Sequence, residues 1–168
     1  MALGKSSRRL VGLLIVVFAV CGGCGPGPYP PKDTDQELNF VFAVSDAKSG
    51  DRLDMAVVLA PPWDRFVAIA GGTTDAEAQR LLGFPFPLEE VSPIKRPGQG
   101  STVVLANGSG LGGWFPVFVG DVSLRCLVGR SFLADNSTFV VHDEPGQRFL
   151  WQDDVACAAT GSPPPPVP

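Results

Sequence analysis

The stretch that most constrains this chain runs from Trp63 to Phe84, WDRFVAIAGGTTDAEAQRLLGF. Phe66, Ala68 and Ala70 alternate with Arg65, Val67 and Ile69, the pattern of a short and mostly apolar strand. Gly71 and Gly72 supply backbone freedom for a sharp exit. Thr74 stands three residues before Glu77, so its hydroxyl can accept from the Glu77 N–H while the Glu77 carboxylate reaches back to the Thr74 N–H. Asp75 suits the positive end of the helix dipole. Ala78, Leu81 and Leu82 form the apolar face of about two turns. Gly83 falls where a left-handed residue ends a helix, and Phe84 can fold back onto it. A helix this short is marginal alone and must dock on a sheet.

Strand signals become dense further along. Ser101 to Ala106 is a strand, and Asn107-Gly108 is a strong hairpin dipeptide. Gly110 to Gly113 lengthens or bulges that turn, and Trp114 to Gly120 forms the return strand, with Pro116 pointing to an edge or a bulge. Val122 to Val128 alternates, with Val122, Leu124, Cys126 and Val128 on one face, and reads as a strand. Asp135-Asn136 is a turn, Thr138 to His142 a strand, Glu144-Pro145-Gly146 a turn and Arg148 to Gln152 a last strand. Before the central unit, Leu38, Phe40, Phe42 and Val44 alternate and predict a strand over 38–45. Arg52 to Ala60 is either a second strand or a short helix, ended by Pro61-Pro62. Residues 85–100 are punctuated by Pro85, Pro87, Pro93 and Pro97 and read as a loop, with one short extended piece over 91–95. Strands at this spacing joined by turns predict an α+β fold. Its core would be a single antiparallel β-sheet of five to six strands packed against one or two short helices.

The N-terminus has a different character. Lys5, Arg8 and Arg9 precede an apolar run from Leu10 to Val20, broken only by Gly12, and Cys21-Gly22-Gly23-Cys24 follows. This is the pattern of a secretory signal peptide, with an uncleaved membrane anchor as the alternative, and the run is shorter than the roughly 20 residues a spanning helix needs. Three of the thirteen basic residues lie in this segment and no acidic residue precedes Asp33. Removal of residues 1–23 would leave ten basic against seventeen acidic residues, a formal charge of −7. That balance argues against a nucleic-acid partner, which needs a basic surface. Residues 24–37, rich in Gly and Pro at their start, read as a flexible tether. Residues 38–157 form a single domain, and 158–168, ending SPPPPVP, a Pro-rich disordered tail.

The cysteine after the apolar run resembles the lipobox of bacterial lipoproteins, in which a dedicated signal peptidase cuts before a cysteine that carries lipid. Gly22 and Gly23 match the small residues of that motif and Cys24 the acylated position, while Cys21 stands where an aliphatic residue is usual. The resemblance implies palmitate-type acylation, export, and anchoring to the cell membrane or the outer membrane. A second resemblance covers residues 38–142. Trp63-Asp64, the apolar strand, Gly-Thr-Thr-x-x-Glu and Leu-Gly-Phe are similar to a family of small uncharacterised bacterial lipoproteins. That family places a Pro-Tyr-Thr-like turn where this chain has Gly71-Gly72-Thr73. This likeness speaks to fold and location and brings no activity with it.

Chemistry is sparsely signalled. After the anchor two cysteines remain, Cys126 and Cys157. In an exported chain they either form a disulfide or are a buried core cysteine and a free thiol. One histidine, and cysteines without CxxC spacing after cleavage, leave no metal set, and no cofactor is expected. His142 with Asp143 and Glu144 lacks the G-x-S-x-G elbow that would place a serine nucleophile. The glycine-rich loop 107–113 lacks the Lys-Ser/Thr of a phosphate loop. Trp63-Asp64-Arg65 reads as structural, with Asp64 pairing a backbone donor or Arg65. Trp63, Trp114 and Phe115 are the candidate recognition residues. The expected function is a lipid-anchored cell-envelope protein, a non-enzymatic binding or assembly module for an envelope protein or glycan. The alternatives are an envelope hydrolase using His142 with a nearby acid or serine, and a purely structural or inhibitory module.

Overall fold

The computed structural model describes residues 31–152. It has an α+β fold, with seven strands arranged in two antiparallel sheets among these residues rather than in one. The first sheet has the order β4-β3-β2-β5, from β2 (Arg65–Ala70), β3 (Gly100–Asn107), β4 (Gly110–Phe118) and β5 (Ser131–Leu133). The second has the order β1-β6-β7, from β1 (Arg52–Asp54), β6 (Thr138–Glu144) and β7 (Gln147–Trp151).

The central unit folds as its sequence predicts. Thr74 accepts from the Glu77 N–H at 3.3 Å and Glu77 accepts from the Thr74 N–H at 2.9 Å, opening α3 (Asp75–Leu82). Gly83 ends it in the left-handed region at φ 80°. Gly71 is required for a second reason: a Cβ there would lie 2.2 Å from the Arg96 carbonyl oxygen. α3 packs on β2 and on the short α4 (Leu88–Val91), and Val67, Ile69, Val104 and Trp114, on one face of the four-stranded sheet, are buried. α4 lies where a loop was expected and ends at Val91, the first residue of the extended piece expected over 91–95. The two helix starts cap each other: Asp75 accepts from the Glu89 N–H at 2.7 Å and Glu89 from the Asp75 N–H at 3.1 Å.

The opposite face of the sheet carries Phe66, Ala68, Val103, Leu105, Phe115 and Val117 into the main core. Because both faces are covered, β2 and β3 are buried almost end to end, which explains their near-continuous apolar sequence. Phe66 of the first sheet meets Phe139 of the second at 5.4 Å, and Phe132 lies 5.0 Å from Phe139. The hairpin at Asn107-Gly108 forms as expected. The register shift after Leu105 leaves Gly112 as the extra residue of a bulge. Pro116 lies on β4, an edge strand that can accept a residue without an N–H.

Two expected strands are absent. Residues 38–45 lie within a helix, α1 (Thr34–Asp46), so the fold includes residues 34–37 ahead of the expected start at 38. Asp33 caps α1 by accepting from the Gln36 N–H at 3.1 Å. Gln36, Phe40 and Val44, four apart, face inward. The apolar positions satisfy both a period of two and a helical one. Tertiary contacts decide between them: Phe40 packs 5.6 Å from Phe115, and the Gln36 amide pairs with the backbone of Ala60 at 2.6 and 2.9 Å. Residues 122–128 are a chain of turns, with the Leu127 N–H donating to the Leu124 carbonyl at 2.8 Å. Ser123 bridges to Phe149 on the second sheet and Val128 to Ala68 on the first, so this segment joins two sheets instead of adding a strand to one. Both readings of 52–60 hold in part, since β1 leads directly into α2 (Met55–Val58).

Candidate functional site

The recognition aromatics proposed from sequence do not form a surface. Phe115 is fully buried against Phe40, and Trp114 packs edge-on to Phe86 at 6.2 Å. The cause is the covering of β4 on both faces, by α1 on one side and by the segment before α4 on the other. Trp63 is half-buried beside the core, and its indole N–H donates to the Leu59 carbonyl at 3.3 Å. Asp64 plays both structural roles expected of it, accepting from the Gly108 N–H at 2.6 Å and lying 3.7 Å from Arg65. Cys126 is buried and disulfide-bonded. Cys24 and Cys157 lie outside the described residues.

His142 sits in a stack of rings on the β6–β7 hairpin. Its ring lies 4.4 Å from Trp151, nearly parallel, and 5.1 Å from Phe149. The Arg125 guanidinium lies over the Phe149 ring, 4.5 Å from its centroid, and pairs with Glu144 at 3.3 Å. Asp143 points to the opposite face of the strand. Arg148 grips it with two hydrogen bonds, at 2.7 and 3.0 Å. Those bonds, donated to the ionised form, hold the Asp143 carboxyl below its ordinary range. The Ser49 hydroxyl accepts from the Asp143 N–H at 3.2 Å. The acid next to His142 and the serine nearest that acid therefore have structural partners.

A small open cavity of about 150 Å³ lies between the turn that precedes α3, α4 and the loop after α4, lined by Gly72, Thr73, Leu88, Glu89, Ile94 and Lys95. Its charged groups also serve the scaffold: Glu89 takes part in the mutual capping, and the Lys95 ammonium donates to the Glu89 carbonyl. Among the described residues no group of three His, Cys, Asp or Glu side chains is placed to hold a metal ion. No described helix is long and apolar enough to cross a membrane.

The surface that stands out lies on α1 and α2, which pack against each other. While Phe40 and Val44 face inward, Leu38 is 46% exposed and Phe42 61%, four residues apart on the outward side of α1. Val57 of α2 is 82% exposed. These are three of the six large apolar side chains exposed among the described residues, and the other three lie on different elements. Sequence reasoning missed this face because it assigned 38–45 to a strand, which would put Leu38 and Phe42 on the same side as Phe40. The available signal was the spacing of four within each pair, together with Asp33 as a cap. The chain matches no family model, no curated protein and no solved structure.

Proposed function

We propose that this chain is an exported, lipid-anchored cell-envelope protein whose domain binds another envelope component and carries out no catalysis of its own. The location rests on the basic segment, apolar run and Cys24 of the N-terminus, and on the resemblance to small bacterial lipoproteins. The observation that carries the binding role is the outward face of α1, where a leucine and a phenylalanine remain about half exposed on a helix whose other face is in the core. Exposed apolar faces on rigid elements are characteristic of contact surfaces. A hydrolase built on His142 is less well supported, since its ring is stacked on Trp151 and in tilted contact with Phe149, and Asp143 is held by Arg148.

The test is the intact mass of the protein purified from native membranes, with and without reductant. A chain beginning at Cys24 with added acyl groups is expected, with a gain of two hydrogens on reduction if Cys126 pairs with Cys157. Cys24→Ser should release the protein from membranes. A chain beginning at Met1 without lipid would overturn the anchoring reading.

A further inference from the structure

We propose that Asn107 is a site of spontaneous deamidation on this chain, and that Asp64 holds the reaction in check. The site is independent of the function proposed above. Of the three asparagines, Asn107 alone precedes a glycine. Asn107 and Gly108 are exposed at the tip of the β3–β4 hairpin, and a Cβ at Gly108 would meet nothing within 4 Å. The turn is therefore open to water, and its nitrogen is uncrowded by a side chain on its own residue. The reaction needs no other reactant. The Gly108 nitrogen gives up its hydrogen and attacks Cγ of Asn107. The bond from Cγ to the side-chain nitrogen breaks, and that nitrogen takes up the hydrogen and leaves as ammonia. Water then opens the succinimide ring at either carbonyl, giving aspartate or isoaspartate. Isoaspartate adds a methylene to the main chain, so the ladder pair of Asn107 with Gly110 can no longer close in its present form.

The restraint lies in the hydrogen bonds around the turn. Asp64 Oδ2 accepts from the Gly108 N–H at 2.6 Å, and the Asp64 N–H donates to the Ala106 carbonyl at 2.8 Å. One residue thus holds the peptide groups on both sides of Asn107. Arg65 Nη2 donates to the Gly108 carbonyl at 3.1 Å and to the Leu82 carbonyl at 3.0 Å, tying the turn to the end of α3. Ring closure requires rotation about the Cα–C bond of Asn107 until the Gly108 nitrogen faces Cγ, and that rotation breaks the bond to Asp64. Charge acts in the same direction. Loss of the Gly108 hydrogen would leave a negative nitrogen at hydrogen-bond distance from a carboxylate, and like charges that close disfavour it.

The experiment incubates the purified full chain in mildly alkaline buffer and follows the peptide carrying Asn107 by mass spectrometry, with chromatography to separate aspartate from isoaspartate. Asp64→Ala should speed loss of the Asn107 amide by about two- to tenfold, the weight of one exposed hydrogen bond in an opening equilibrium. Asp64→Asn, which keeps an acceptor without the charge, should fall between Asp64→Ala and the native chain. Thr74→Ala controls for general loosening, since it weakens the cap of α3 away from the turn and should leave the rate at Asn107 unchanged. A rate in Asp64→Ala at or below the native one overturns the restraint and makes Asp64 a base or a bystander. Equal acceleration by Thr74→Ala overturns it as well, because opening would then be global. An amide that stays intact in folded Asp64→Ala while the urea-unfolded chain loses it overturns Asn107 as a site in the folded protein.

Discussion

Arg148 ties together parts of the chain that are far apart in sequence. Its guanidinium donates to the carbonyls of Val44, Ser45 and Ala47 at 2.7, 3.2 and 3.0 Å, capping the C-terminal end of α1, and it grips Asp143 with its remaining hydrogens. α1 has no basic residue in its own last turn, so its cap comes from β7. Arg148→Ala is expected to cost about 2–3 kcal/mol, read from urea unfolding midpoints, because several charged hydrogen bonds are lost together. Arg148→Lys should recover only part of that, since an ammonium cannot reproduce the fork. The Asp143 side adds a pH dependence. Its carboxyl is held below the ordinary range by the hydrogen bonds from Arg148. A depressed carboxyl pKa contributes stability above the unfolded value, about 3.9, and loses it as pH falls through the folded value. Asp143→Asn should therefore be less stable than the native chain near neutral pH, with the difference shrinking below about pH 4. Equal differences at both pH values would show that ionisation of the pair contributes nothing.

At the scale of elements, α1 and α3 contrast. α3 is specified locally: cap, dipole charges and terminal glycine all lie within its own stretch of sequence. Thr74→Ala should cost about 1 kcal/mol through the lost cap, and an unmoved unfolding midpoint would sink that reading. Gly83→Ala forces a side chain into the left-handed region and should cost about 1–2 kcal/mol. α1 was not legible in the same way, because apolar residues at 38, 40, 41, 42 and 44 fit either periodicity. Mutation separates the two readings cleanly. Phe40→Ala should cost about 3–5 kcal/mol, while Phe42→Ser should stay within about 0.5 kcal/mol. A strand would place both rings on one face and make the two substitutions alike. The candidate contact surface was hidden by the same ambiguity, since Leu38 and Phe42 are outward only once the segment is helical.

At the scale of the whole molecule, residues 122–130 join the two sheets. Ser123 donates to the Arg148 carbonyl at 2.8 Å and accepts from Leu150, while the Gly129 N–H donates to the Ala68 carbonyl at 3.0 Å. Disulfide-bonded Cys126 lies in the middle of this clasp. Reduction of the bond should speed amide hydrogen exchange at Ser123 and Gly129 more than in β3, which is held by ladders on both sides. Uniform acceleration across the domain would show that the bond stabilises the fold globally and not this segment. The α+β class, the hairpin turns, the Thr74–Glu77 box and the ending at Gly83 were determined by the sequence alone. The turns, the box and the helix ending depend on groups within a few residues of one another, so the signal and its partner share one short window, and the class follows from the order of such windows along the chain. Whether 38–45 became helix or strand, whether 122–128 extended a sheet or clasped two, and which aromatics stayed exposed were decided only in the tertiary structure. The deciding contacts there, Arg148 with Val44 across 104 positions among them, join residues whose nearness no local pattern records.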